Sequence, residues 1–470
     1  MKVSPDSRRR DVITEWNAAT NRAKIGADVP DTMAFLNGRV VKTMDDWQAR
    51  QEEIKRFWCD YFIGHFPTKV PALLSAKGVK EEEAKDGSFR RRIVLTFDTP
   101  NKKSFEIALW EPATSDITPK PLLLTQPRHY QRQKWGEEAL KRGYVVCIYP
   151  GLDVHHNEEG YPGYEHIWQA FKSEYPEATW GSSLGIQAWL ASRTLDYLLN
   201  SQYGYQIDTN AVGITGFSRY GKQAIYAGAF DERFKCVVAR SSGSPTSCSY
   251  RFAGRQAFME SVSLEDCPEL WVVDKLRTFH GRENELPVEG NALMACIAPR
   301  HLMIDTAYND GCDPTFGVER GYLNAKKVWT FLGKGENICL SYRKGNHEPV
   351  TEEQVRHNLD FFDFAFGRRK DGGGDFQEVL IHAFDWNEWK SKQREPDLTI
   401  PNTSSLRDRV EWMLGQQPDS IEDADEYQIR AGNELPVPDW SRDRWNPGGV
   451  SRVPFSFSGK MHGNIFFDPT

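Results

Sequence analysis

Several features that would assign a chain to a special class are missing from these 470 residues. No apolar run approaches the roughly 18 residues that a membrane-spanning helix needs, so we expect no membrane partner. The eight cysteines include no CxxC pair, which predicts mostly buried thiols and no zinc site or disulfide framework. Neither an HExxH motif nor a phosphate-binding loop occurs, so no metal and no cofactor is expected.

Basic residues are too few and too scattered for a nucleic-acid surface. The net charge is -7, with 59 Lys and Arg against 66 Asp and Glu, and the RRR triplets at 8–10 and 90–92 are short. We therefore expect no nucleic-acid partner. The opening stretch MKVSPDSRRRDVITEW contains no apolar segment, so it does not resemble a secretory signal. Two locations therefore remain consistent with the sequence: the cytoplasm, or secretion with the signal already removed. The sequence does not indicate an oligomeric state.

The residues that are present predict a globular chain built on alternating strands and helices. Hydrophobic residues make up 39% and aromatic residues 12% of the sequence, as in a packed domain. Residues 1–89 predict an accessory helical segment, because apolar residues recur at helical spacing between Trp47 and Phe62. From 90 to 368, near-continuous apolar strands alternate with helices. This pattern predicts an α/β fold with a doubly wound, mostly parallel sheet.

Residues 369–470 predict a linker and a C-terminal extension. The linker begins in the charged, glycine-rich stretch GRRKDGGGDF. The last residues, VPFSFSGKMHGNIFFDPT, resemble the hairpin VLTFDTPNKKSFEIALWEPA at 94–113, because both pair two β-rich runs around a polar turn. Two interpretations stay open: an ordinary terminal hairpin, or the start of a further module in a longer protein.

The stretch AVGITGFSRYGKQAIYAG is the most informative in the chain. It predicts a strand to Gly216 and a helix from Arg219, which places Ser218 on a sharp strand-to-helix turn. A serine there is presented above the sheet, where the helix N–H groups and dipole can stabilise an oxyanion. The pattern departs from G-x-S-x-G, since the second glycine is Gly221. A serine that merely caps the helix is therefore the alternative.

A base and an acid follow the serine in the chain order that an α/β-hydrolase requires. His347 follows the predicted strand NICLSY, and Asp310 follows the predicted strand HLMIDTA. Loops at the carboxyl ends of strands are where α/β sheets place their sites. The sequence therefore predicts a Ser218–His347–Asp310 triad, with Asp313 as the rival acid in an Asp-Pro turn. His129 is predicted to be either a surface group or a contact to substrate.

At GFSRYGK (216–222) the sequence resembles the glucuronoyl esterases and related carbohydrate esterases, including acetyl xylan esterase relatives. The stretches LPVEGNALMACIAPRHLMID, DGCDPTFG and GNHE extend the resemblance over roughly 90–368. It implies the α/β-hydrolase fold and a serine esterase that cleaves a glucuronoyl ester or an acetylated sugar through an acyl-enzyme. It also implies that Arg219 serves the oxyanion hole and that Lys222 meets sugar hydroxyls. Many members carry a glutamate as triad acid where Ser241 stands here, so the resemblance places the acid at Asp310.

Other functions remain open on the sequence. A catalytically inactive relative that binds a saccharide or a partner is the main alternative, because the acid position is altered. A serine peptidase on the same fold would need a substrate-gating domain larger than residues 1–75. The aromatic-rich stretch 153–171 is equally consistent with a sugar-binding cleft and with simple packing.

Overall fold

The computed structural model describes most of the first 369 residues and two short strands near the C-terminus. The described residues are 28–113, 116–126, 135–151, 167–252, 262, 271–280, 282–347, 351–369, 376, 380–381, 452–456 and 462–466. The chain divides into two compact units, Met1–Leu380 and Ile381–Thr470. His129 and residues 153–166 of the aromatic stretch lie outside the described part, and the predicted boundary near 368 stays a prediction.

Nine strands of the first unit, as far as it is described, form one sheet in the order β1-β2-β3-β5-β4-β6-β7-β8-β9. Strands β1, β2, β3 and β5 pair antiparallel in succession, and the strands from β5 through β4 to β9 run parallel. The predicted mostly parallel sheet is confirmed, and the fold is that of the α/β-hydrolases. The strands are β1 Leu73–Glu83, β2 Phe89–Phe97, β3 Ser104–Glu111, β4 Lys120–Thr125, β5 Val145–Ile148, β6 Ile207–Phe217, β7 Cys236–Arg240, β8 His301–Ala307 and β9 Ile338–Arg343.

Helices cover both faces of this sheet. Alternate side chains of β4 show the division: Leu122 and Leu124 join one buried cluster, whereas Leu123 joins a second on the opposite face. Burying each such leucine contributes roughly 1.5–3 kcal/mol, which is why the strands read as continuous apolar runs. The helices are α1 Met44–Trp58, α2 Trp135–Lys141, α3 Ile167–Ser173, α4 Ser183–Leu198, α5 Arg219–Phe230, α6 Gly290–Ala295, α7 Thr315–Phe331 and α8 Glu352–Ala365.

The segment before the main sheet contains the predicted amphipathic helix and one unpredicted strand. Helix α1 begins at a capping box in which Thr43 and Asp46 satisfy each other's backbone N–H groups. It buries Trp47, Ile54, Phe57 and Trp58 against the core. Strand β1 was not predicted, because its sequence LLSAKGVKEEE is largely charged and its side chains are mostly exposed. Backbone pairing with β2, rather than an apolar pattern, recruits it to the sheet edge.

In the second unit, the described residues form one antiparallel hairpin, in which β10 (Arg452–Ser456) pairs with β11 (His462–Phe466). Of the seven cysteines within the described residues, five are buried, as the sequence predicted for most of them. Among the helices of the described residues, none combines the length and the apolar character that a bilayer crossing requires.

Candidate active site

Ser218 lies on the predicted bend between β6 and α5. Its backbone has φ 58° and ψ -128°, a conformation that a non-glycine residue adopts only when its surroundings hold it there. The Ser218 N–H donates to the carbonyl of Arg240 at 2.8 Å, and the Ser218 carbonyl accepts from the N–H of Gly221 at 2.8 Å. The Ser218 side chain makes no capping hydrogen bond to α5, which argues against the helix-capping alternative.

Two glycines allow the chain to turn this sharply. A Cβ atom at Gly216 would lie 2.2 Å from the carbonyl oxygen of Tyr220, which is well inside contact distance. A Cβ atom at Gly221 would lie 2.9 Å from the Cβ of Ser242, at the loop after β7. The glycine spacing therefore sets how closely α5 approaches the end of β6, and with it the position of Ser218.

His347 and Asp310 meet across the loops that follow β9 and β8. The Nδ1 atom of His347 lies 3.0 Å from Oδ1 and 3.1 Å from Oδ2 of Asp310, and both side chains are buried. Burial alone would raise the pKa of the Asp310 carboxyl. The charge and hydrogen bond of His347, the hydroxyl of Ser241 and the charge of Arg343 outweigh it, so the pKa falls below its usual value. A carboxylate that stays ionised can orient an imidazole and stabilise its protonated form.

Asp313, the rival acid, is engaged elsewhere. Its Oδ1 atom accepts a hydrogen bond from Ser247 Oγ at 2.7 Å. Burial, followed by the negative charge of Asp310, raises the pKa of Asp313 to about 6. Of the two carboxyl groups, the more acidic one therefore faces the imidazole of His347. This geometry favours Asp310 over Asp313 as the partner of the histidine.

The imidazole of His347 also packs beside the bend that carries Ser218. Its ring centroid lies 4.7 Å from that of Phe217, the residue before Ser218. Phe217 is buried at the end of β6, and its ring packs against the imidazole at an angle of 47°. The structure therefore places the hydrogen-bonded His347–Asp310 pair beside the bend that carries Ser218, at the carboxyl edge of the sheet.

Arg219 and Lys222 lie on the first turn of α5, next to Trp271. The guanidinium carbon of Arg219 is 5.6 Å and the ammonium nitrogen of Lys222 is 5.4 Å from the centre of the Trp271 ring. Lys222 is buried and donates a hydrogen bond to the carbonyl of Ser242. Arg219 is half-buried and stands at the helix N-terminus beside Ser218.

Comparisons with known proteins place this site in context. A family model described as glucuronyl esterase of fungi matches residues 101–333. A glucuronoyl esterase of carbohydrate esterase family 15 from Caldicellulosiruptor kristjansonii is 27% identical, covers 78% of this chain and 97% of its own, and superposes with a TM-score of 0.60. This chain is glucuronoyl esterase-like. The resemblance predicted from GFSRYGK is thereby confirmed.

Two curated relatives of this glucuronoyl esterase-like chain differ in how much of their length it spans. A 4-O-methyl-glucuronoyl methylesterase from Podospora anserina is 26% identical over 76% of this chain and 72% of its own length. A multidomain esterase from Ruminococcus flavefaciens is 24% identical over 74% of this chain. The match spans only 47%, about half, of that multidomain protein.

Sequence reasoning missed one residue next to the glucuronoyl esterase-like site, Arg343. Arg343 ends β9, where its guanidinium donates to the hydroxyl of Ser241 at 2.5 Å and to the carbonyl of His347 at 2.8 Å. The available signal was an arginine at the end of an apolar strand, since a charge there is buried and has to be paired.

For the aromatic stretch 153–171, the structure decides between cleft and packing at two positions. Trp168 and Phe171 are buried in the core, which favours packing for these two.

Asp310, Cys312 and His347 are a group that could offer ligands to a metal ion. Their ligand atoms lie within 4.8 Å of one another. The separation of 3.0 Å between His347 Nδ1 and Asp310 Oδ1 is that of a hydrogen bond. The backbone N–H of Cys312 donates to the same Asp310 oxygen at 3.0 Å. The arrangement therefore suits a histidine–carboxylate pair.

Proposed function

We propose that this chain is a carboxylic ester hydrolase that cleaves a carbohydrate ester through Ser218, His347 and Asp310. The observation that carries the proposal is the hydrogen-bonded His347–Asp310 pair beside the bend at Ser218. The similarity to named glucuronoyl esterases supports the same reaction class. A serine held at a strained turn, with a buried base and an ionised acid nearby, is the arrangement that acyl transfer requires.

The reaction proceeds in two halves. Ser218 Oγ attacks the ester carbonyl as His347 Nε2 takes the hydroxyl proton, while the Nδ1 proton stays in the hydrogen bond to Asp310. The tetrahedral intermediate carries its negative charge toward the N-terminus of α5 and Arg219. It collapses as His347 protonates the leaving alcohol, which gives the acyl-enzyme. Water then attacks the acyl carbon, His347 takes its proton, and the carboxylic acid leaves as Ser218 regains a proton.

The substrate class that we propose is a glucuronoyl ester, with an acetylated sugar as the alternative ester. The name of the Podospora anserina relative, 4-O-methyl-glucuronoyl methylesterase, supports the uronate ester. In that case the sugar is the acyl part, and it is covalently attached to Ser218 in the acyl-enzyme. Lys222, on the first turn of α5 just after Ser218, would then contact hydroxyl groups of the sugar. For an acetylated sugar, the carbohydrate would instead be the leaving alcohol.

A substrate panel tests the proposal directly. Methyl glucuronate esters, acetylated xylan and 4-nitrophenyl acetate are each offered to the wild type and to Ser218→Ala. We expect the highest kcat/KM on the glucuronate ester and loss of turnover in Ser218→Ala on every substrate. A higher kcat/KM on acetylated xylan would instead identify an acetylated sugar as the substrate class. The absence of wild-type turnover on all three would contradict the hydrolase and favour a non-catalytic saccharide-binding protein.

A further inference from the structure

We propose that Arg343 is a positioning residue that holds the loops of His347 and Asp310 in the geometry the triad needs. The inference rests on the proposed function, because it assigns a role in aligning that site. Arg343 is the last residue of β9, and its side chain is only 3% exposed. Its side-chain hydrogen bonds go to Ser241, Asn346 and His347, so an effect on Ser218 would pass through these residues.

The guanidinium joins three separate segments of chain. Nη1 donates to the carbonyl of Asn346 at 2.7 Å, and Nη2 donates to the carbonyl of His347 at 2.8 Å. Nη2 also donates to the hydroxyl of Ser241, at 2.5 Å, in the loop after β7. The same nitrogen lies 4.0 Å from Oδ2 of Asp310, in the loop after β8. The planar guanidinium thus contacts the loop of His347 and the loop after β7, and it lies close to Asp310.

Backbone contacts of Arg343 strengthen the link between the two loops. Its carbonyl accepts a hydrogen bond from the N–H of Tyr308 at 3.1 Å, and the N–H of Asn309 donates to Gly345 at 3.2 Å. These bonds tie the approach to Asp310 to the approach to His347. The Arg343 side chain then holds the end of the turn from Gly345 to His347, through its hydrogen bonds to the carbonyls of Asn346 and His347.

Shape as well as charge explains why an arginine stands here. A planar guanidinium presents several N–H groups in fixed directions, whereas a lysine ammonium supplies a compact charge at one point. Three acceptors in different directions, from Asn346, His347 and Ser241, match the fork. A lysine would keep the charge near Asp310 but would not reach all three oxygens. Positioning by the fork and stabilisation by charge alone therefore predict different outcomes for Arg343→Lys.

The test compares Arg343→Ala with the wild type in the full chain. We expect kcat on the best ester to fall about 10²-fold, the effect of a misplacement of about 1 Å, with little change in KM. We also expect loss of the low-field proton resonance of the His347 Nδ1–H group, a signal assigned by its absence in Asp310→Asn. Added guanidinium ion should enter the vacated space and restore both kcat and the resonance, whereas ammonium ion should restore neither.

Arg300→Ala is the matched control. Arg300 also donates to backbone carbonyls, those of Phe234 and Gly228, each at 2.7 Å, but it precedes β8 at the opposite end of that strand. We expect Arg300→Ala to lower the unfolding temperature and to leave both the resonance and kcat unchanged. Retention of kcat and resonance in Arg343→Ala, or a loss of kcat that guanidinium ion does not restore, would overturn the positioning role.

One further variant and one measurement that needs no turnover complete the test of Arg343. If Arg343→Ala does not fold, Arg343→Lys replaces it, and a wild-type kcat in the lysine variant would reject positioning by the fork. The proton resonance needs no turnover, so it separates the two proposals. A wild type inactive on every ester would reject the hydrolase, while loss of the resonance in Arg343→Ala would still support the positioning role.

Discussion

His347 Nδ1 lies 3.0 Å from Oδ1 of Asp310, and this pair connects the loops after two neighbouring parallel strands. Asp313 lies only three residues beyond Asp310, yet its carboxylate accepts from Ser247 instead. The two acids therefore occupy different environments within one turn, and the difference can be measured.

Asp310→Asn should cripple turnover without unfolding the protein. Asparagine has nearly the same shape as aspartate, but it cannot hold the imidazole in the tautomer that accepts a proton from the serine. By analogy with other serine hydrolases, we expect kcat to fall about 10⁴-fold. Steady-state kinetics with circular dichroism as a folding check measure this. Asp313→Asn is the matched control and should retain most of the wild-type kcat; the reverse outcome would exchange the roles of the two acids.

Asp313 should also make the protein less stable as pH rises. Its pKa is about 6 in the folded chain, against an ordinary value of 3.8, so between these values the folded state binds more protons than the unfolded state. The free energy of unfolding therefore falls as pH increases through this range. A carboxyl whose pKa rises from 3.8 to about 6 lowers the free energy of unfolding at high pH by about 3 kcal/mol as an upper value.

Urea unfolding at pH 5 and pH 8 measures the contribution of Asp313. Asp313→Asn should lose part of the pH dependence and become more stable than the wild type at pH 8. Asp310 does not obscure the comparison, since its lowered pKa places the loss of its stabilisation below pH 3.8. A variant that is less stable than the wild type at pH 8 would contradict the assignment of a buried, unfavourable carboxylate.

The sheet and the serine could be predicted from the sequence because their signals are local. Apolar runs mark the strands, and the glycines around Ser218 mark a turn that few other residues permit. The position of β5 between β3 and β4 could not be predicted, because strand order is set by how helices cross the sheet. Strand β1 also escaped prediction, since it is held by backbone pairing and carries exposed charged side chains.

The choice between Asp310 and Asp313, and the contacts of Arg343, needed the structure for a different reason. Both acids belong to one turn, and a shift of three residues decides which carboxylate faces the imidazole. Arg343 bonds to Ser241, which lies 102 positions earlier in the chain. No periodicity links residues so far apart, so only the packed sheet brings them together.

Gly216→Ala should damage both stability and activity. The added methyl group would lie 2.2 Å from the carbonyl oxygen of Tyr220, a backbone atom that cannot rotate away. We expect the free energy of unfolding to fall by about 1–3 kcal/mol, as for other overpacked sites, and kcat to fall because Ser218 is displaced. Gly333→Ala is a control, since it is strained by its φ of 65° but has no atom within 4 Å of the added group. Equal activity losses in the two variants would argue against a specific effect at the bend.

Arg219→Ala tests the oxyanion role that the resemblance implies. Arg219 is the first residue of α5, directly after Ser218, so a cation there lies close to the developing negative charge. We expect kcat to fall about 10²–10³-fold with a small change in KM, because the interaction strengthens only as the oxyanion forms. Lys222→Met provides the contrast: if Lys222 contacts sugar hydroxyls in ground state and transition state alike, KM for the sugar ester should rise while turnover of 4-nitrophenyl acetate is spared. A wild-type kcat in Arg219→Ala would remove the arginine from the oxyanion hole and leave the N–H groups at the start of α5 as its donors.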